Sequence, residues 1–128
     1  MDIADLVQQA QSARGRARVP YSHYPVGAAV LTGSGKVYPG CNIESSAFST
    51  TICAERAAIF NAIASGEHSF TALVIVSNDS APPCGACRQV IYEQCGEIPI
   101  YVTGPDGQSQ QEFSTSQLLP YPFDLGKS

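Results

Sequence analysis

The 128-residue sequence contains no tryptophan, a single methionine and only seven Lys and Arg residues, which leaves a net charge of −4. A nucleic acid partner would call for a basic face, so this shortage argues against one. The first residues have neither a basic segment nor a long apolar run, so we expect no signal peptide, no membrane partner and a cytoplasmic location. We predict one domain over residues 1–128, long enough to bury a core.

Apolar periodicity in this chain is typical of an α/β domain. A helical face of aliphatic and small residues predicts a first helix over residues 3–18, ended by Pro20. Two further helices are predicted, one after Cys53 and one over 85–95, with a last helical turn near 116–119. Apolar runs predict strands at 26–31, 36–41, 72–77, 99–103 and 111–114. The order α-β-β-α-β-α-β-β indicates a mixed sheet with helices packed on it.

Three of the five cysteines form a pattern typical of metal binding, which is favoured over disulfides in a chain without a secretory signal. Cys53 lies near the start of one predicted helix, and Cys84 and Cys87 lie at the start of another. Three thiolates with an open fourth position indicate a catalytic zinc site, because a structural site closes all four positions with protein ligands. Helix N-termini favour the thiolate form, and Arg56 is placed to offset the excess negative charge.

Glu55 follows Cys53 by two residues and is therefore placed to face the open position. Zinc lowers the pKa of a bound water to about 7, and a carboxylate beside it can move the proton. A zinc ligand, any residue and Glu, followed later by Pro-Cys-x-x-Cys, is the signature of the zinc nucleobase deaminases. The pattern predicts attack on an amidine-like carbon and loss of ammonia.

The chain resembles the short, homotetrameric cytidine deaminases. Five blocks carry the resemblance in the order and at the spacing of that family: YSHYPVGAA (21–29), GCNIE (40–44), CAER (53–56), PCGACRQV (83–90) and LLPYPF (118–123). The resemblance implies a three-layer α/β/α fold with a five-stranded mixed sheet. It also implies a zinc-dependent hydrolase that converts cytidine and 2′-deoxycytidine to uridine and 2′-deoxyuridine in pyrimidine salvage, with one Zn²⁺ per chain.

The same resemblance implies a role for each residue of the metal site. Cys53, Cys84 and Cys87 would bind zinc. Glu55 would be the proton shuttle and would also hold the pyrimidine ring nitrogen. Arg56 would donate hydrogen bonds to the thiolates and so compensate their charge.

The substrate contacts are likewise implied by the resemblance. Asn42 and Glu44 would hold the ribose hydroxyls, and backbone groups at Ala54 and just before Pro83 would read the base edge. Tyr24 lies where the family usually has Phe against the substrate. Phe123 lies where the C-terminal aromatic of the family reaches into a neighbouring subunit's pocket. The active sites would then be shared within a homotetramer.

Three positions depart from the family pattern. Phe48 stands where Tyr is frequent, which removes a hydroxyl near the ribose, and residues 45–47 read Ser-Ser-Ala in place of Asn-Ala-Ser or Asn-Ala-Ala. Both changes would alter the tolerance for modified sugars. Pro82 replaces a common Ser, where the family uses backbone atoms. None of the three touches the zinc ligands or Glu55.

Simpler interpretations of the cysteines stay open at the level of sequence. A Cys-x-x-Cys pair near an α/β unit is also a redox motif. Alternatively, a structural zinc site would take Cys41, His23 or His68 as its fourth ligand. Otherwise we expect both histidines at the surface, and Cys41 and Cys95 as buried free thiols that act as small apolar groups.

The other candidate residues also have ordinary structural interpretations. Glu55 and Arg56 would be exposed helix charges. Asn42 and Glu44 would be turn and cap residues, and Tyr24 and Phe123 core or surface aromatics.

Other functions remain possible at this level too. One is deamination of a nucleoside antibiotic or another cytosine compound, although antibiotic-deaminating relatives lack the Asn-x-Glu block that this chain has. Editing of cytosine within nucleic acid would need a basic, aromatic groove. The last is a zinc module without catalysis.

Overall fold

A five-stranded mixed sheet forms the middle layer of the computed structural model, which describes residues 2–107 and 109–126. Its spatial order is β2-β1-β3-β4-β5, with β3 and β4 parallel and the other neighbours antiparallel. The strands are β1 (Gly27–Thr32), β2 (Val37–Cys41), β3 (Phe70–Val76), β4 (Pro99–Thr103) and β5 (Gln111–Ser114).

Helices cover both faces of the sheet. They are α1 (Ile3–Arg14), α2 (Ala54–Ala64), α3 (Gly85–Cys95) and the single turn α4 (Thr115–Leu118), and a 3₁₀ turn lies at Phe48–Thr50. Since parallel strands need a crossover connection, α3 carries the chain from β3 to β4. None of the helices in the described ranges has the length and apolar character needed to cross a bilayer.

Alternation along the strands divides the core into two clusters, as expected when successive side chains point to opposite faces. Along β1, Ala28 and Val30 pack in the cluster that contains Ile59 of α2 and Ile91 of α3, whereas Ala29 packs in the cluster of α1. The α1 cluster also contains Leu6, Val7, Ala10, Ala72, Val74 and Val76. The predicted three-layer α/β/α fold with a five-stranded mixed sheet is therefore confirmed.

Several predicted boundaries differ from the observed ones. α3, β4 and β5 have the predicted bounds, whereas β1, β2, β3 and α4 are offset by one or two residues at one or both ends. The prediction that the first helix continues to Arg18 is wrong, because α1 ends at Arg14 with Gly15 as its C-cap. Arg18 instead pairs with a loop, since its N–H donates to the Asn42 carbonyl and its own carbonyl accepts from Glu44 N. Tertiary pairing therefore overrides the helical periodicity at this end.

The two cysteines outside the zinc pattern are less buried than predicted. Cys41 lies on β2, an edge strand of the sheet, and Cys95 is the last residue of α3. Both are free thiols, but both are half-buried, so the expectation that they are buried is wrong. A sheet edge and a helix end each leave one side of a residue open. Burial nevertheless raises the pKa of the Cys95 thiol to about 12.

Candidate metal centre and active site

Two helix N-termini bring three sulfur atoms together beside the sheet. Cys53 is the N-cap of α2 and Cys84 the N-cap of α3, while Cys87 lies in the first turn of α3. The three Sγ atoms all lie within 4.8 Å of one another, and those of Cys84 and Cys87 are 3.5 Å apart. Cys87 is buried, Cys53 half-buried and Cys84 exposed, so the cluster opens to one side.

The chemistry of this donor set fits zinc. Three thiolates are soft ligands that prefer Zn²⁺ to Mg²⁺ or Ca²⁺. The hydrogen bond from the Cys87 thiol, assisted by the Arg56 guanidinium, lowers the pKa of Cys53 to about 5. The metal-ligating group found among the described residues contains these three cysteines and no fourth protein ligand. The alternative of a structural zinc site completed by Cys41, His23 or His68 therefore finds no support in the geometry.

Arg56 lies against the sulfur cluster. Its Nη2 donates to Cys53 Sγ over 3.3 Å, and this contact raises the pKa of the guanidinium above its ordinary value. Its Nε is buried and has no hydrogen-bond partner within the described residues. The side chain is therefore not a freely solvated surface charge. Its role in charge compensation remains a prediction.

Glu55 is buried beside the cysteines, although glutamate is ordinarily exposed. Only 5% of its surface is accessible, and it lines the same cavity as Cys53 and Cys84. Burial, together with the neighbouring charge of Cys53, raises the pKa of this carboxyl above its ordinary value. A carboxylate of raised basicity next to three thiols that could hold a metal is suited to moving protons.

The cavity over the cysteines has a volume of about 230 Å³, room for a small ligand. Tyr24, Asn42 and Ala54 line it together with the metal-site residues, and apolar walls come from Val26, Ile52, Ile75 and Pro82. Five residues with predicted ligand or substrate contacts thus meet Glu55 in one place: Tyr24, Asn42, Cys53, Ala54 and Cys84.

A second cavity, of about 380 Å³, adjoins the first, and Thr51 lines both. Glu44 and Phe48 line only this second cavity, together with Tyr21, Ser22 and Ser45. The Glu44 carboxylate accepts hydrogen bonds from Tyr21 N over 3.0 Å, from Ser22 N over 3.1 Å and from Ser22 Oγ. The Ser22 hydrogen bonds hold the pKa of this carboxyl below its usual range, so Glu44 is ionised at neutral pH.

Asn42 is already bonded within the protein. Its Oδ1 accepts from Val26 N and its Nδ2 donates to the Tyr24 carbonyl, each over 2.9 Å. Asn42 and Glu44 therefore fix the loop at residues 21–26, in agreement with the structural interpretation of both residues. This bonding is compatible with substrate contacts, which remain a prediction.

The structure does not bring Phe123 to the cavities of its own chain: this residue is 66% exposed and is not among the lining residues of either cavity. Its segment is nevertheless fixed on α3, because Gln89 Nε2 donates to the Phe123 carbonyl over 2.7 Å. The Tyr92 hydroxyl also donates to Asp124 Oδ2 over 2.9 Å.

Sequence reasoning missed the residues that follow β3. The Tyr24 hydroxyl donates to Asp79, and Ser77 lines the cavity. No motif identified Asp79, because a polar residue in a loop is ordinary. Only the folded chain brings this loop to Tyr24.

This fold, with three thiols and a buried carboxylate at two helix N-termini, defines a zinc-dependent deaminase. The zinc-binding region of the cytidine and deoxycytidylate deaminases matches residues 2–103. The chain therefore belongs to the cytidine and deoxycytidylate deaminase family.

Individual relatives agree with this assignment. A cytidine deaminase from Sporosarcina psychrophila is 49% identical over 126 residues, which cover 96% of this chain and 92% of that protein. One from Halalkalibacterium halodurans is 42% identical over 96% of this chain and 95% of that protein. The solved structure of the cytidine deaminase from Burkholderia pseudomallei matches with a TM-score of 0.92 and 38% identity, over 96% of this chain and 100% of that chain.

Proposed function

We propose that this chain hydrolyses cytidine and 2′-deoxycytidine to uridine and 2′-deoxyuridine, with release of ammonia, in cytoplasmic pyrimidine salvage. One observation carries the proposal: the buried carboxylate of Glu55 shares a small cavity with Cys53 and Cys84. The match to the deaminase family and the cytidine deaminases among the relatives support it.

Cys53, Cys84 and Cys87 would hold the Zn²⁺, which, when bound, supplies the Lewis acidity that makes water nucleophilic at neutral pH. Glu55 takes a proton from the attacking water and delivers it to the pyrimidine ring nitrogen. The Glu55 carboxylate then takes the remaining proton from the added hydroxyl, which becomes the carbonyl, and passes it to the amino nitrogen, so that the bond between ring carbon and amino nitrogen breaks and ammonia leaves. Arg56, in contact with Cys53, offsets part of the thiolate charge.

Asn42 and Glu44 would favour a free nucleoside over a bare base, because they present an amide and an ionised carboxylate suited to sugar hydroxyls. Backbone groups at Ala54 and Pro82 would read the base edge, with Tyr24 against the substrate. The net charge of −4 argues against a polynucleotide substrate.

We also propose that the chain works as a homotetramer with shared active sites. Four large apolar side chains are strongly exposed: Phe48 (81%), Tyr121 (93%), Phe123 (66%) and Leu125 (88%). Two of them lie beside the hydrogen bonds that fix the C-terminal segment on α3. Because exposed apolar side chains of this size mark interaction surfaces, a second copy that covers them would receive Phe123 in its pocket.

The ultraviolet absorbance of cytidine mixed with purified protein tests the reaction. We expect conversion to uridine that stops after zinc chelation and returns when zinc is restored. A protein with one zinc per chain that leaves cytidine unchanged would contradict the proposal and would direct the search to antibiotic and other cytosine compounds.

Co-expression of Glu55→Gln and Phe123→Ala chains tests the shared site. Each variant alone is expected to be weakly active, whereas mixed assemblies contain sites with both residues intact and regain activity. A fully active monomer in analytical ultracentrifugation, or no regain in mixed assemblies, would contradict the shared site.

A further inference from the structure

Tyr24 joins two segments that both line the cavity over the cysteines, residues 24–26 and residues 77–84. Its hydroxyl donates to Asp79 Oδ1, three residues after the end of β3, in the segment that leads to Cys84. Hydrogen bonds to the ionised carboxylate, above all that from Tyr24, hold the pKa of Asp79 below its ordinary value. Asp79 is therefore a charged acceptor at neutral pH.

The backbone of Tyr24 is hydrogen-bonded to Asn42, which is proposed to hold the ribose, and to Ser22, which contacts Glu44. Its carbonyl accepts from Asn42 Nδ2 over 2.9 Å, and its N–H donates to Ser22 Oγ over 3.1 Å. Ser22 in turn bonds to Glu44. Tyr24 thus connects the two residues proposed to hold the ribose with the segment before Cys84.

The segment after β3 has no regular structure of its own. Ser77 Oγ accepts from Ala81 N over 3.2 Å and lies 3.4 Å from Asp79 Oδ1, to which it donates. Ser80 has a φ of 55°, which is uncommon for a residue other than glycine.

Two other side chains also reach this segment, because Arg14 donates to Asn78 Oδ1 and Arg88 Nε donates to the Pro83 carbonyl over 2.7 Å. Of these three side chains, Tyr24 is the one that lines the cavity.

We propose that Asp79 is a positioning residue, which acts through the Tyr24 hydroxyl to hold these two lining segments in the relative position that nucleoside binding requires. Neither Asp79 nor this hydroxyl takes part in proton transfer. The pair therefore affects binding of the nucleoside more than turnover, and this inference rests on the proposed use of cytidine as substrate.

Steady-state kinetics of Tyr24→Phe, Asp79→Ala and the double variant test the pair. Loss of one hydrogen bond should raise KM for cytidine about 3- to 10-fold in each single variant, with kcat within about twofold of the wild type. The double variant should be no worse than either single one, because both remove the same interaction. Asp79→Asn keeps an acceptor oxygen, so its KM should be close to the wild-type value.

Tyr38→Phe is the matched control, since the Tyr38 hydroxyl donates to Glu67 Oε2 over 2.8 Å on the edge strand β2, outside both cavities. We expect an unchanged KM in this variant, and wild-type zinc content and melting temperature in the Tyr24 and Asp79 variants. An unchanged KM in Tyr24→Phe, additive losses in the double variant, or an equal rise in Tyr38→Phe would each overturn the proposal. A wild-type protein inactive toward cytidine would overturn the proposed function and this inference together.

Discussion

The two adjoining cavities are built in different ways. The one over the cysteines is formed where α2 and α3 begin, and Cys87 and Ala54 there have no accessible surface. The neighbouring one is formed by loops and the 3₁₀ turn at Phe48–Thr50, and Phe48 is 81% exposed. Helix packing on the core thus fixes the groups proposed to bind the metal and move protons, whereas hydrogen bonds between loops fix the groups proposed to bind the sugar.

The largest effect should come from the Glu55 carboxylate, in the cavity over the cysteines. Glu55→Gln removes the proposed proton shuttle but keeps the shape of the side chain, so kcat should fall about 10²- to 10⁴-fold. Zinc content should stay at one per chain, because Glu55 is not among the clustered thiols. Glu112→Gln on the exposed surface of β5 is the control and should keep full activity. Unchanged deamination by Glu55→Gln would remove Glu55 from the mechanism.

A methyl group between α2 and β2 should disturb the position of α2, which holds Glu55 and follows Cys53 directly. At Gly40 a Cβ would lie 2.3 Å from Ala58 N and 2.5 Å from Ala54 O, so Gly40→Ala must shift α2 relative to β2. We expect a loss of about 1–3 kcal/mol in the free energy of unfolding and weaker zinc retention, because Cys53 precedes Ala54. Denaturant titration measures the first effect and chelator competition the second.

Gly15→Ala is the matched control for Gly40→Ala. A Cβ there would be 3.5 Å from Ser12 O, an ordinary contact, and the backbone has a right-handed φ of −65°. No loss of stability is expected. Equal stability of both variants would show that the close approach of α2 to β2 does not contribute to the stability of the fold.

In the neighbouring cavity, which loops form, Glu44→Gln should affect binding of cytidine rather than turnover. Replacing a charged acceptor by a neutral one weakens its hydrogen bonds, and KM for cytidine should rise about 10-fold with little change in kcat. Glu67→Gln is the control, since Glu67 also accepts from a serine and a tyrosine hydroxyl but lies outside both cavities. A fall in kcat at constant KM would contradict the expectation that residues of the neighbouring cavity affect binding and not turnover.

The smallest effect should be a dependence of stability on pH. The hydrogen bonds from Ser22, with the nearby His23 as a minor cause, lower the pKa of Glu44 from 4.5. Its contribution to stability is therefore complete above pH 4.5 and is lost as the pH falls through the lower folded-state pKa. The melting temperature of the wild type should exceed that of Glu44→Gln by a constant margin from pH 7 to about 5, and this margin should shrink below pH 4.5. A margin independent of pH would contradict the ionised state of Glu44.

Local patterns predicted the elements that are regular and locally bounded. α3 begins directly after its N-cap Cys84, and β4 is a short apolar run, so both have the predicted bounds. α1 was predicted four residues too long, because the pairing of Arg18 with residues 42–44 cannot be read from its own segment. The same reason explains Asp79, whose partner Tyr24 lies 55 positions away in the chain.

The sequence by itself determined the chemistry of this protein. Thiols and carboxylates react according to their type, and the short spacings Cys53-x-Glu55 and Cys84-x-x-Cys87 place them on single helix starts. Only the tertiary structure decided which groups meet across the fold. It buried Glu55, put Arg56 against Cys53 and tied Tyr24 to Asp79, because burial and long-range contacts arise when separate segments pack on one sheet.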